Sequence, residues 1–348
     1  MSDKKLDNIR IESFTKLISP SEIRKQIPLS PQATETIDKG RSDFCSILNN
    51  EDNRFVVIVG PCSIHDPKAA IEYAEKLQKL NEELSDKLLI MMRVYFEKPR
   101  TTTGWKGFIN DPFLNKTCDM EAGIKLARQL LVDIADLGLP TATELLDPIT
   151  AAYIGEMVSW AAIGARTTES QTHRQMTSGL SAPIGFKNNS DGNLDIAVNA
   201  MKSAKSSHSF LGIDDEGNCS ILKTKGNHAT HIILRGGNGR PNYHREDIEE
   251  CEAKLKKSES QLKIMVDCSH ENSGKNHEKQ HFVIKDIIAQ KQEGNQSIFG
   301  LMIESNLGPG NQKITENIDD LEYGVSVTDA CIGWEETEDL LRQLHKTF

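Results

Sequence analysis

Eight short runs rich in Val, Ile, Leu or Ala recur along the chain, at residues 55–62, 88–95, 140–146, 160–166, 183–188, 231–237, 263–270 and 299–305. They are continuous rather than alternating, which suits strands of a parallel sheet covered on both faces. Segments of helical period separate most of them. Over residues 70–84, Ile71, Ala74, Leu77, Leu80 and Leu84 fall on one stripe. Over residues 121–137, Ile124, Ala127, Leu130, Leu131, Ile134 and Leu137 do the same. Strand and helix alternating in this way predict an α/β fold, a (β/α)8 TIM barrel.

Two stretches fall outside the pattern. Residues 1–50 form an extension punctuated by Ser19-Pro20-Ser21 and Ser30-Pro31, with a helix expected over residues 32–48. Between the fifth and sixth runs, residues 210–213 and 219–222 flank Asp214-Asp215-Glu216-Gly217-Asn218, which predicts an inserted β-hairpin over residues 209–224. Residues 51–348 would then be the catalytic barrel, with the extension serving assembly or regulation. Additions of this sort to a barrel usually cover an end, mediate assembly or regulate.

Charge and composition narrow the partners. The chain of 348 residues carries 41 Lys and Arg against 51 Asp and Glu, a formal charge of −10. A surface so acidic argues against nucleic acid, although a few converging cations can still bind a small anion. The longest apolar stretch, residues 55–64, is too short to span a bilayer, and Met1 to Arg10 does not read as a signal peptide. The seven cysteines (45, 62, 118, 219, 251, 268 and 331) are scattered, with no CxxC pair. Reduced thiols in a cytoplasmic protein are expected. Apart from Cys62 and Cys268, they are expected on helices or hairpins in structural roles, and His173, His208 and His231 are likewise expected to be structural.

The ends of the runs carry the chemistry. The first ends in Gly60-Pro61-Cys62-Ser63-Ile64-His65-Asp66-Pro67, and the second supplies Arg93 followed by Glu97-Lys98-Pro99-Arg100-Thr101-Thr102. Glu144, Arg166 and Lys187 follow on the third, fourth and fifth; Arg235-Gly236-Gly237 on the sixth; His270 on the seventh; Glu304 on the eighth; and Asp329 in the last loop. A barrel gathers the C-terminal ends of its strands at one face, so these groups are expected to meet in one cavity. The bland alternative, that charges begin where strands stop, explains some of the acids but fits the spread of cations poorly. Arg93, Arg166, Lys187 and Arg235 suit an anion with more than one charged group, such as a phosphate and a carboxylate. Without a GxxxxGK[ST] motif, a nucleotide P-loop is unsupported. Cys62, His270, Glu304 and Asp329 offer one S, one N and two O donors for a divalent transition metal. Singly, however, a cysteine or histidine at a strand end is more often a structural residue.

Three motifs, residues 60–67, 92–102 and 164–170, together with Gly185-Phe186-Lys187-Asn188, Ile233-Leu234-Arg235-Gly236-Gly237 and Thr328-Asp329-Ala330-Cys331-Ile332-Gly333-Trp334, resemble the feedback-regulated bacterial and yeast type of 3-deoxy-D-arabino-heptulosonate-7-phosphate (DAHP) synthase. The resemblance runs from near residue 10 to the end. It implies an enzyme that joins phosphoenolpyruvate to erythrose 4-phosphate, the first step of the shikimate pathway, with one Mn²⁺, Fe²⁺, Co²⁺ or Zn²⁺ per subunit. Cys62, His270, Glu304 and Asp329 fall on the family's ligand positions. Arg93, Lys98, Arg166, Lys187 and Arg235 would hold phosphoenolpyruvate, and Arg100 and Thr101 the sugar phosphate. Lys98 would donate a proton and Glu144 would place the attacking water. The resemblance further implies a homodimer or homotetramer inhibited by an aromatic amino acid. Pro148 and the wording of the C-terminal half favour tyrosine, with phenylalanine second. The Lys98-Pro99-Arg100-Thr101-Thr102 loop argues against the sister enzyme that uses arabinose 5-phosphate. A Schiff-base aldolase built on Lys187, and a phosphometabolite sensor without catalysis, are the remaining rivals.

Overall fold

The computed structural model describes residues 6–100, 102–315 and 317–348. Eight parallel strands close into a barrel: β1 (Phe55–Gly60), β2 (Leu88–Arg93), β3 (Thr141–Glu144), β4 (Trp160–Ile163), β5 (Ile184–Lys187), then, past the inserted pair β6 (Ser209–Ile213) and β7 (Cys219–Lys223), β8 (Thr230–Leu234), β9 (Ile264–Asp267) and β10 (Ile298–Glu304). Each barrel strand pairs with the next one in sequence, β5 with β8 across the insertion, and β1 with β10 closes the ring. The insertion is an antiparallel hairpin in which Leu211 faces Ile221.

The helices are α1 (Pro20–Gln26), α2 (Pro31–Leu48), α3 (Pro67–Leu84), α4 (Met120–Asp136), α5 (Thr150–Ile154), α6 (Gln171–Thr177), α7 (Leu194–Lys205), α8 (Arg245–Lys257), α9 (Gln280–Gln292) and α10 (Trp334–Thr347). Three of them start the same way. Ser19, Ser30 and Asp66 accept from a backbone N–H of the first turn, and a proline follows at the first helical position. Proline lacks only an N–H that would be unpaired there, so the Ser-Pro and Asp-Pro pairs are start signals.

The continuous apolar runs follow from burial on both faces. Every residue of β1, β2 and β10 is buried. Val57 and Val59 pack outward against the helices, in the same cluster as Ala74 and Leu77 of α3. Val56 and Ile58 join Leu89, Met91, Trp160, Met265 and Met302 in a second cluster, which fills the barrel. Phe44, Ile47 and Leu48 of α2 belong to that second cluster, so this part of the N-terminal extension plugs the barrel and helps form its core. The plug is anchored by Lys263, whose Nζ donates to the Ile47 carbonyl at 2.6 Å. His231 is buried there as well, accepting from Trp160 Nε1 at 2.9 Å, and burial holds its imidazole down to about 3. Two cysteines depart from expectation. Cys118 lies exposed in an irregular loop with φ 54°, and Cys331 is buried in the loop after β10, neither on a helix nor on the hairpin.

Candidate active site

Because all eight strands point the same way, their last residues share one rim. Arg93, Glu144, Lys187, Asp267 and Glu304 each end a strand. A cavity of about 860 Å³ opens at this rim, and Arg93, Lys98, Arg100, Glu144, Arg166, Lys187, Arg235, His270, Glu304 and Asp329 all line it. Cys62 lies beneath the cavity, fully buried. Thr101 lies outside the described residues. Ser190, Lys275, His277 and Asn311 also line the cavity, from loops whose composition gave no signal.

The loop that carries Lys98 and Arg100 is folded back on itself. Lys98 N donates to the Lys106 carbonyl at 2.8 Å, Glu97 bridges Gly107, and Arg100 Nε donates to the Trp105 carbonyl at 2.8 Å. Gly107 has φ 115°, and a Cβ there would sit 2.2 Å from the Phe96 carbonyl oxygen, so only glycine allows this closure. Gly164 serves Glu144 in a similar way, since a Cβ would lie 2.5 Å from Glu144 Oε1. Glu97, which also lines the cavity, accepts from Leu146 N, Asp147 N and Thr150 Oγ1 at 3.3, 3.4 and 3.4 Å. Burial pushes its carboxyl up to about 7. A carboxyl raised in the fold contributes stability that is present below its unfolded value and lost as pH rises toward about 7. Urea unfolding at pH 5 and pH 8 should therefore show a loss for the wild type that is smaller in Glu97→Gln by about 1–3 kcal/mol. Equal losses in the two proteins would refute the assignment.

Cations and anions interlock at the rim. Arg93 is 1% exposed; it donates to the Pro61 carbonyl and to Glu304 Oε1 at 3.0 and 2.9 Å, and its guanidinium lies 3.6 Å from the centre of the Tyr95 ring. Arg235 is set by Asn188, whose Oδ1 accepts from Arg235 N at 2.9 Å while its amide donates to the Gly236 carbonyl. Asp267 was legible only as part of a strand end, yet it is fully buried with Lys187 Nζ 2.9 Å from Oδ2.

Three of the four expected metal ligands come together. Cys62 Sγ, a Glu304 oxygen and an Asp329 oxygen all lie within 4.8 Å of one another. His270 does not join that group. Its Nδ1 is held 2.7 Å from Ser269 Oγ and 3.0 Å from Asp267 Oδ2, at a residue whose φ is 54°. The donor set suits a borderline metal, and a cationic group already lies among the donors. Lys98 Nζ is 3.1 Å from Cys62 Sγ and 2.7 Å from Asp329 Oδ2. Burial, with Glu304 adding to it, pushes the Cys62 thiol up to about 11. Burial works against the Lys98 ammonium, but Cys62 and Asp329 outweigh it and hold Lys98 above the ordinary lysine value. Asp329, opposed by burial but facing that ammonium, falls below the usual carboxylate range. These residues therefore fit a divalent cation by both charge and donor type.

The sequence model described as the DAHP synthetase I family matches residues 26–342. Among individual relatives, the Tyr-sensitive phospho-2-dehydro-3-deoxyheptonate aldolase of Salmonella typhimurium is 50% identical over 346 residues, covering 99% of this chain and 97% of that one. The Phe-sensitive enzyme of the same name from Escherichia coli is 48% identical over 338 residues, covering 97% and 96%. The structure of phospho-2-dehydro-3-deoxyheptonate aldolase from Francisella tularensis SCHU S4 superposes with a TM-score of 0.94 at 50% identity, covering 97% of this chain and 98% of that one. With a barrel whose charged strand ends share one cavity, and with likeness along almost its whole length, this chain belongs to the DAHP synthetase I family.

Proposed function

We propose that this chain condenses phosphoenolpyruvate with D-erythrose 4-phosphate and water, giving DAHP and inorganic phosphate. The observation that carries the reading is the cavity itself, where Arg93, Arg166, Lys187 and Arg235 face the same space as a Cys–Glu–Asp donor group. Phosphoenolpyruvate carries both a carboxylate and a phosphate, and cations at two strand ends and in the loops after two others match two anionic groups held apart. Burial and pairing keep Arg93 and Lys187 from moving, so the enol is held with C3 toward the aldehyde and an encounter of two molecules becomes nearly unimolecular. Cys62, Glu304 and Asp329, with His270 as the fourth ligand, would hold one Mn²⁺, Fe²⁺, Co²⁺ or Zn²⁺. When bound, such an ion supplies Lewis acidity toward the aldehyde oxygen.

Lys98 keeps its proton near neutral pH because the Asp329 carboxylate 2.7 Å away pairs with its ammonium, which suits a donor to the alkoxide formed as C3 attacks. Arg100, fixed through Trp105, and Thr101 would hold the phosphate of the sugar. Glu144, with its carboxylate against the Gly164 backbone, would orient the water that adds at C2. Phosphate then leaves with cleavage of the C–O bond.

The extension and the hairpin support a regulatory reading. Ser21 N donates to the Asp215 carbonyl at 2.7 Å, Arg24 pairs with the Asp215 carboxylate at 2.8 Å, and Tyr153 of α5 donates to the Ile18 carbonyl at 2.6 Å. An aromatic amino acid bound in this corner would be read at the 146–150 loop that Glu97 holds. Tyrosine is the first choice and phenylalanine the second. Exposed Ile9, Ile11 and Phe14 on the extension, and Leu211 and Ile221 on the hairpin, suit burial in a homodimer or homotetramer. A cytoplasmic site of action fits the free cysteines, and no helix among the described residues is long and apolar enough to cross a membrane.

One assay tests the whole reading. Phosphate release should require both substrates, stop in excess EDTA, return with Mn²⁺, and fall when tyrosine is saturating. Release that survives chelation would overturn the metal role, and release from phosphoenolpyruvate alone would overturn the condensation. Indifference to all three aromatic amino acids would overturn the regulation.

A further inference from the structure

We propose that Asp267 is a positioning residue for the metal, holding His270 so that Nε2 is the nitrogen it offers. The proposal rests on the reading of His270 as a ligand. Asp267 ends β9 with no exposed surface; its Oδ1 is hydrogen-bonded, whereas its Oδ2 lies in two ion pairs without a well-formed hydrogen bond. Oδ1 accepts from Ser269 N at 3.0 Å and from the Ser269 hydroxyl at 2.7 Å. Oδ2 lies 3.0 Å from His270 Nδ1 and 2.9 Å from Lys187 Nζ.

The proton inventory around the imidazole then fixes its tautomer. The Ser269 hydroxyl has one hydrogen and spends it on Asp267 Oδ1, so toward His270 its oxygen can only accept, at 2.7 Å. A carboxylate oxygen accepts too. Nδ1 thus faces two acceptors and must carry the hydrogen, which leaves the lone pair on Nε2. His270 lines the cavity that Glu304 and Asp329 also line, so, on the reading of His270 as a ligand, Nε2 is the nitrogen it offers there. The φ of 54° at His270 and the 2.6 Å bond from Lys275 N to its carbonyl hold the backbone for this orientation. Lys187 balances the charge of the buried carboxylate, so one oxygen ties a lysine of the anion site to a histidine of the metal site.

A carboxylate that served only as counter-ion to Lys187 would affect stability and not the metal. In Asp267→Asn the amide can turn its NH₂ toward Nδ1, which favours the other tautomer and withdraws Nε2. Mn²⁺ affinity, measured by calorimetry on the full chain, should fall about 10- to 100-fold, the usual effect of losing such a partner. The d–d bands of the Co²⁺-loaded variant should shift as they do in His270→Ala, while the Cys62 thiolate charge-transfer band remains. If Asp267→Asn does not fold, Ser269→Ala, which removes only the hydroxyl, should still weaken Mn²⁺ binding several-fold. Unchanged metal affinity in His270→Ala would show that His270 is not a ligand. A loss in His270→Ala with no loss in either the Asp267 or the Ser269 variant would overturn the positioning role alone.

Discussion

Cys62→Ser should leave the barrel folded, lower metal affinity at least about 100-fold and lower condensation activity at least about 1,000-fold. Sulfur is the one soft donor in the cluster, and without it two carboxylates and an imidazole bind borderline metals weakly. The fold should tolerate the change because serine is smaller by little and its hydroxyl has an acceptor. Cys62 Sγ already faces Asp329 Oδ2 at 3.6 Å, and a shorter hydroxyl bond to that oxygen or to Lys98 is within reach. Lys98 also keeps its 2.7 Å pairing with Asp329, so the 98–107 loop retains its anchor. Metal content after dialysis, the phosphate-release rate and thermal melting are the three measurements. A serine variant that retains its metal and full activity would sink the ligand assignment. A variant that loses its fold would show instead that the thiol is chiefly a packing group.

What the sequence showed and what it hid have physical causes. Barrel strands such as β1 and β10 are legible because burial on both faces leaves a nearly continuous apolar run, and α3 and α4 are legible because they bury one stripe. Arg93, Glu144, Lys187 and Glu304 stand out as charges on the last residue of such runs, and closure of the barrel brings them to one rim. Asp267 escaped notice for the opposite reason. It too ends a strand, but its importance comes from Lys187, eighty residues earlier, whose placement depends on the stagger of β5, β8 and β9. The separation of His270 from the other donors is likewise invisible, because it depends on a left-handed turn at a residue that carries a side chain. The role of α2 as a plug was legible only as one option among covering an end, assembly and regulation. Its stripe of Phe44, Ile47 and Leu48 looks like any amphipathic helix until the open end of the barrel is there to receive it.

Arg93→Met should be the most damaging single change at the site, in stability as well as in activity. The guanidinium is 1% exposed and holds together four neighbours: the Pro61 and Cys62 carbonyls at 3.0 and 3.3 Å, Glu304 at 2.9 Å, and the Tyr95 ring. Methionine fills much of the space and supplies none of the donors. Glu304, 1% exposed, would then keep its charge without its closest partner. Breaking a buried pair from one side costs about 3–5 kcal/mol, because the surviving charge has lost its water as well as its counter-ion. Activity should fall at least about 1,000-fold in kcat/KM, as the anion of the substrate loses a fixed guanidinium. Arg93→Lys should recover little of it, since an ammonium cannot reach the two carbonyls and Glu304 together. A metal ion would in part replace the lost charge. Any divalent ion that binds Glu304 in the folded state stabilises that state by mass action, so the melting temperature lost in Arg93→Met should be largest in EDTA and smaller with saturating Mn²⁺. The same ion should do little for Cys62→Ser, which has lost a ligand and no counter-charge. If Arg93→Met melts with the wild type in EDTA, the buried pair contributes nothing. If Mn²⁺ fails to narrow the gap, Glu304 is not where the metal binds.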